Sequence, residues 1–148
     1  MKDVKRLSRL LDLRKHEERR RAAELGEARR LLDEASEGVR RLETQRSELE
    51  RARSGDGSPS VGHLKTMHFL VEQLDKDLSR AREALVRAQG ELDDKVEAFS
   101  EAANDSEALE RVIEPRRSAA QRRERASEQK QQDDMSSMRH LRNGDPTG

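Results

Sequence analysis

The chain has 148 residues, of which 42% are charged, 31% hydrophobic and 1% aromatic, and its formal net charge is zero. That supply of apolar volume is too small for two packed layers around a core, so the chain can bury only a stripe. The absence of cysteine excludes a disulfide framework and a thiolate metal site, and no apolar run approaches the ~20 residues that cross a bilayer.

The first predicted helix begins near Asp3, whose carboxylate can cap free backbone N–H groups, and runs to about Arg53. Its opening, MKDVKRLSRLL, lacks the apolar core and small-residue cleavage site of a signal peptide, so the protein is expected to stay where it is made. Apolar residues recur at alternating steps of three and four: Val4, Leu7 and Leu11, then Leu25, Ala28 and onward to Leu49. Ten of the fourteen stepped positions are apolar, with Arg14, Glu18, Arg21 and Arg46 as the interruptions. A mean period of about 3.5 wraps helices around one seam. Disordered chains of similar composition do not hold such a register.

A break follows at SGDGSPSVG, residues 54–62, where Gly55 and Gly57 tolerate a reversal and Ser58-Pro59 reads as an N-cap and first helical residue. The loop is expected at about 54–60 and the second helix from about 61. Its stepped positions run from Leu64 and Met67 to Leu109 and Ile113, thirteen of fifteen being apolar. Pro115 then removes one helix hydrogen bond and marks a kink or a boundary, with helical character carrying on to about 142 and a disordered end at 143–148. The fold class is all-α: a long antiparallel two-helix coiled-coil hairpin, one domain over 1–142, with a projecting basic C-terminal helical tail.

Folding at the centre of the break pairs residues whose numbers sum to about 113, such as Leu49 with Leu64 and Leu42 with Val71. Every seam position then faces a seam position, and Glu18 meets Lys95, a charged pair able to fix the register at some loss of stability. In this alignment the first helix is exhausted opposite Val112, so residues 114–142 extend past it as a tail expected to order on a partner.

Charge is unevenly distributed. Residues 1–30 hold eleven Lys/Arg against six Asp/Glu and 116–142 hold eight against four, whereas 71–114 hold six against thirteen. An antiparallel hairpin places the two basic segments at one end.

A two-helix rod offers no water-poor pocket for catalysis, and neither a phosphate-binding Gly-rich loop nor a Gly-x-Ser-x-Gly turn is present. His16, His63, His68 and His140 are scattered, and the five-residue step from His63 to His68 suits solvated side chains better than a shared metal. The acidic pairs Asp93-Asp94 and Asp133-Asp134 read as solvated charge. No catalytic residue, cofactor, metal or small-molecule substrate is expected.

Three features exceed that background. Phe69 and Leu70 lie off the seam near the hairpin tip, where they form either an outward patch or packing beneath the loop. Leu10 and Leu13 also lie off the seam, within the basic end. Arg116, Arg117, Arg122, Arg123 and Arg125 form a cluster in the tail. Interleaved acids and the lack of stacking aromatics argue against a nucleic-acid footprint there.

The run RLLDLRKHEERRRAAELGEARRLLDEA, the break near residue 55 and the ending EQKQQDDMSSMRHLR resemble the flagellar export protein FliJ family. Gln129-Lys130, Asp133-Asp134 and Arg139 follow the order of that family's ending. The resemblance implies a non-enzymatic central stalk for the type III export ATPase, similar in shape to the gamma subunit of rotary ATPases and monomeric when free. It would enter the hexameric ATPase ring with its open end and touch the cytoplasmic domain of the export gate, with escort of export chaperones as a further role. Its location would be cytoplasmic, peripheral on the inner side of the membrane. On this reading Leu10, Leu13, Arg19, Arg20, Arg21 and the tail arginines face the ATPase. Leu42, Leu49, Phe69, Leu70 and Leu74 face the gate, although Leu42, Leu49 and Leu74 are also seam positions, and the tip lacks the Tyr or Trp of some relatives. The equivalent stalk of a virulence secretion system and a general coiled-coil scaffold or holdase-like chaperone are the alternatives.

Overall fold

A computed structural model describes residues 2–55 and 60–143. Two helices account for almost all of them, α1 (Lys2–Gly55) and α2 (Val61–Asn143), with no strand among the described residues. The architecture is the expected all-α hairpin. Asp3 falls inside the first turn of α1, where its charge favours the positive end of the helix dipole, and does not precede the helix as a cap. The anticipated Ser58-Pro59 start lies outside the described residues. The cap of α2 is Ser60: its hydroxyl accepts from the His63 N–H at 3.2 Å and its carbonyl accepts from the Leu64 N–H at 3.0 Å. Asn143, expected in a disordered end, is the last residue of α2, and 144–148 lie outside the described residues.

Local sequence favours these helices throughout. Good helix formers dominate, and ion pairs one turn apart line the exposed faces, as in Arg46 with Glu50 and Arg111 with Glu107. Arg30 bridges Glu27 and Glu34 on either side of it. The hydrogen bond with the Glu27 carboxylate, with Glu34 adding to it, raises the Arg30 guanidinium pKa, and the same bond lowers that of Glu27. Pro115 neither ends α2 nor interrupts its helical assignment, although it has no N–H to offer the carbonyl one turn back.

The seam is the core. Leu11, Ala28, Val39, Met67, Leu78, Ala102 and Ile113 are the buried hydrophobic residues among those described, and each is a stepped position of the sequence pattern. Ser106, also stepped, is buried with them.

Contacts group into two units, Met1–Glu17 with Ala103–Gly148 and Glu18–Ala102. Within the second, Lys95 Nζ meets Glu24 Oε2 at 3.3 Å, Arg46 Nε meets Asp75 Oδ1 at 2.7 Å and Arg82 meets Glu43 at 3.4 Å. These partners' numbers sum to 119, 121 and 125, not to values around 113. The pairing is therefore one heptad further along α2 than the loop-centred alignment, with seam layers that sum to about 120. Because the seam repeats every seven residues, a slip of one heptad again sets seam against seam, and sequence periodicity alone does not distinguish the two. The expected pairing of Glu18 with Lys95 is replaced by Glu24 with Lys95.

Within the first unit, Lys15 Nζ contacts Glu110 Oε1 at 2.7 Å and Arg117 donates to Ser8 Oγ at 3.0 Å. Pairing thus reaches further along α2 than residue 113. Arg117, Ser118, Ala119 and Ala120 are half-buried, and every residue from 121 to 143 is exposed. The extension begins at 121 and not at 114, for the same reason that the register differs.

Candidate functional site

The candidate site residues are surface residues of a paired hairpin, so their environment is set by their place relative to the seam. Among the gate-facing residues, Leu42, Leu49 and Leu74 are half-buried seam side chains. Phe69 is 58% exposed and Leu70 42% exposed, so both present apolar surface to water. Leu49, Leu70 and Leu74 share an open groove with Ala52 and Asp77.

The residues expected to face the ATPase divide between the two units. Leu10 and Leu13 are exposed in the first unit. There Arg116 and Arg123 line a groove with Val4, Ala119 and Ala120. Arg117 is tied to Ser8 and therefore belongs to the paired region, not to the free extension. Arg122 bonds back to the Ser118 carbonyl of its own helix, and Arg125 is exposed. In the second unit, Arg19 and Arg20 are exposed, while Arg21 is half-buried and contacts Glu24 at 3.2 Å.

Electrostatics are perturbed at two cross-helix contacts. The hydrogen bond from Lys95 holds the Glu24 carboxyl below the usual carboxylate range, against a smaller desolvation effect, and Arg21 adds to it. The Asp75 carboxylate raises the Arg46 guanidinium pKa in the same manner. Neither contact encloses a cavity. Among the described residues no group of three His, Asp or Glu side chains is placed to hold a metal, and no helix is long and apolar enough to cross a membrane.

A family model described as flagellar FliJ protein matches residues 2–145. The chain belongs to the FliJ family. FliJ proteins are non-enzymatic components of flagellar type III protein export, and the membership makes this chain an export stalk component in that general sense. No curated protein and no solved structure matches the chain.

Sequence reasoning placed the cap two residues early, at Ser58 and not Ser60, and missed the cross-helix bond from Arg117 to Ser8, which depends on the register. It also overlooked the seam's flanks. Assigning heptad letters to both helices, with a and d on the seam, would have exposed a difference between the e and g borders that the count of net charge conceals.

Proposed function

We propose that this FliJ chain is the stalk that enters the hexameric export ATPase by the end bearing both termini and links it to the cytoplasmic domain of the membrane export gate. The observation that carries the reading is the extension of α2 over residues 121–143. Every side chain there is exposed, so the segment gains nothing from tertiary packing, the main source of helical stability in proteins. A surrounding partner supplies what solvent does not. The extension carries Arg122, Arg123 and Arg125, together with the exposed Met135, Met138 and Leu141 near its end, a mixture suited to a protein lumen with acidic and apolar contacts. Phe69 and Leu70 supply the corresponding apolar surface for the gate. The chain itself hydrolyses nothing in this scheme and acts through its partner's turnover. Escort of export chaperones is a further role of the same proposal, and location at the inner face of the membrane follows from binding the gate.

The test is a titration of the purified chain into the export ATPase of the same organism, reading hexamer formation and ATP turnover. Stimulation saturating near one chain per six ATPase subunits is expected. The triple variant Arg122→Glu, Arg123→Glu, Arg125→Glu is expected to lose most of that stimulation while keeping the helicity of the hairpin. Full stimulation by the variant would remove the extension from the mechanism, and no effect of the native chain would overturn the stalk reading.

A further inference from the structure

Heptad positions in the second unit give the hairpin two unlike borders. On the e side, Arg82 reaches Glu43 across the helices and Arg46 reaches Asp75, and the groove there, lined by Asp75, Leu78, Arg82, Glu83 and Val86, carries both signs of charge. On the g side, facing positions have numbers that sum to 122: Leu31 with Glu91, Gly38 with Ala84, Gln45 with Asp77, and Ala52 with Leu70. Two open grooves follow this side, one lined by Ala28, Leu31 and Glu91, with Glu24, Glu27 and the Lys95 that pairs with Glu24, and one by Ala52, Leu70, Asp77 and Glu48. Leu31 is 39% exposed and Leu70 42% exposed, each half out of the seam and half available.

No Lys or Arg occupies a g position between residues 18 and 102; the charged residues there are Glu24, Asp77 and Glu91. Glu24 is matched by Lys95 and Arg21. Asp77 and Glu91 stand exposed beside the two apolar grooves. Between them, a Cβ added to Gly38 would meet nothing within 4 Å. With Ala84 opposite, this is a low point at which another helix can approach closely.

We infer that this g border is a docking surface for a basic amphipathic helix, whose apolar stripe seats on Leu31, the Gly38–Ala84 saddle and Leu70 while its flanking Lys or Arg side chains meet Glu91 and Asp77. Charge complementarity selects the occupant. A second copy presenting the same border would set carboxylates against carboxylates, and nucleic acid or an anionic membrane would be repelled. From Leu31 to Ala52 the border spans about 32 Å, the length of roughly 21 helical residues. The inference does not depend on the stalk assignment, and its test uses the purified chain alone.

The probe is a fluorescein-labelled synthetic helix of Leu, Ala and Lys with one apolar face bordered by Lys, compared with a scrambled peptide of the same composition by fluorescence anisotropy. Saturable binding of the patterned peptide is expected, with at least tenfold weaker binding of the scrambled one. The double variant Asp77→Lys, Glu91→Lys is expected to bind at least tenfold more weakly. Glu83→Lys with Glu97→Lys, the same charge change on the outer face of α2, should stay within twofold of the native chain. Gly38→Arg fills the saddle in a position with room for it and improves helix propensity, so it is expected to abolish binding without lowering Tm. It decides the matter if the charge reversals disturb folding. Equal losses in the two double variants, equal binding of the scrambled peptide, no binding at all, or dimerisation of the chain through this border would each overturn the proposal.

Discussion

Lys95 Nζ donates to Glu24 Oε2 at 3.3 Å, although Lys95 occupies a seam position and Glu24 a flanking one. The ammonium leaves the seam to reach a carboxylate beside it, so the interruption of the stripe is satisfied without a buried charge. The same bond lowers the Glu24 pKa, and Arg21 reinforces it. A carboxyl whose folded pKa is depressed contributes stability that is complete above its unfolded value of about 4.3 and disappears as pH falls through the folded value. Thermal melts are therefore expected to show Tm declining below about pH 5, and Lys95→Met should flatten part of that decline. The effect is modest because both side chains remain partly exposed to solvent. Superimposable Tm–pH curves for the two proteins would show that the bond carries none of the acid dependence.

Ser106 occupies the seam at 3% exposure, and its hydroxyl has no hydrogen-bond partner. A buried hydroxyl left unpaired costs about 1–3 kcal/mol relative to a paired one, and serine is also a poorer helix former than alanine. Ser106→Ala is expected to stabilise the hairpin by about 1 kcal/mol, some of the gain being offset by the smaller side-chain volume. Urea unfolding with an unchanged m-value and a higher midpoint is the expected reading. A lower midpoint would mean that the hydroxyl is bonded in solution.

Pro115 lies within α2, two residues beyond Ile113, where it leaves the Arg111 carbonyl without the helical N–H it would otherwise receive. Proline in a helix interior costs about 3 kcal/mol, and at this site packing of Ile113, 1% exposed, opposes the loss. Pro115→Ala should stabilise the local helix. Hydrogen exchange of the amides of residues 116–119 is expected to slow by at least tenfold, with little change near the loop. Unchanged protection would show that the helix around Pro115 already opens only with the whole molecule.

The seam was fully legible in the sequence, because each buried position obeys the three-four step and nothing else in the chain competes for burial. Register was not. The loop-centred alignment assumed that both helices end level with one another, whereas Leu64, in the first turn after the Ser60 cap, is 42% exposed while Met67 is buried. About one turn of α2 thus precedes the paired region, so the two helices do not end level with one another. The candidate surfaces inherit the error: Arg117 was assigned to the free extension, and its bond to Ser8 places it among paired residues. For Phe69 the off-seam position left two outcomes open, an outward patch or packing beneath the loop, and its 58% exposure in the structure favours the first.

Phe69 and Leu70 differ from Ile113 in what their removal should do. Ile113 is enclosed by the seam, and truncation to alanine deletes buried methyl groups and leaves a void, an effect of about 2–4 kcal/mol. Ile113→Ala should lower Tm by several degrees and leave any intrinsic affinity of the tip unaltered in the folded fraction. Phe69→Ala with Leu70→Ala removes one side chain that mostly faces water and one half-seated beside the seam, so the double variant should lose only a fraction of the Tm that Ile113→Ala loses, while binding to the cytoplasmic domain of the export gate falls at least tenfold. Calorimetry and a gate-domain pull-down on the same samples separate the two effects. A large fall in Tm for the tip variant would place Phe69 beneath the loop instead of on a binding surface, because only a residue that loses contacts within the folded chain can change its stability by that amount.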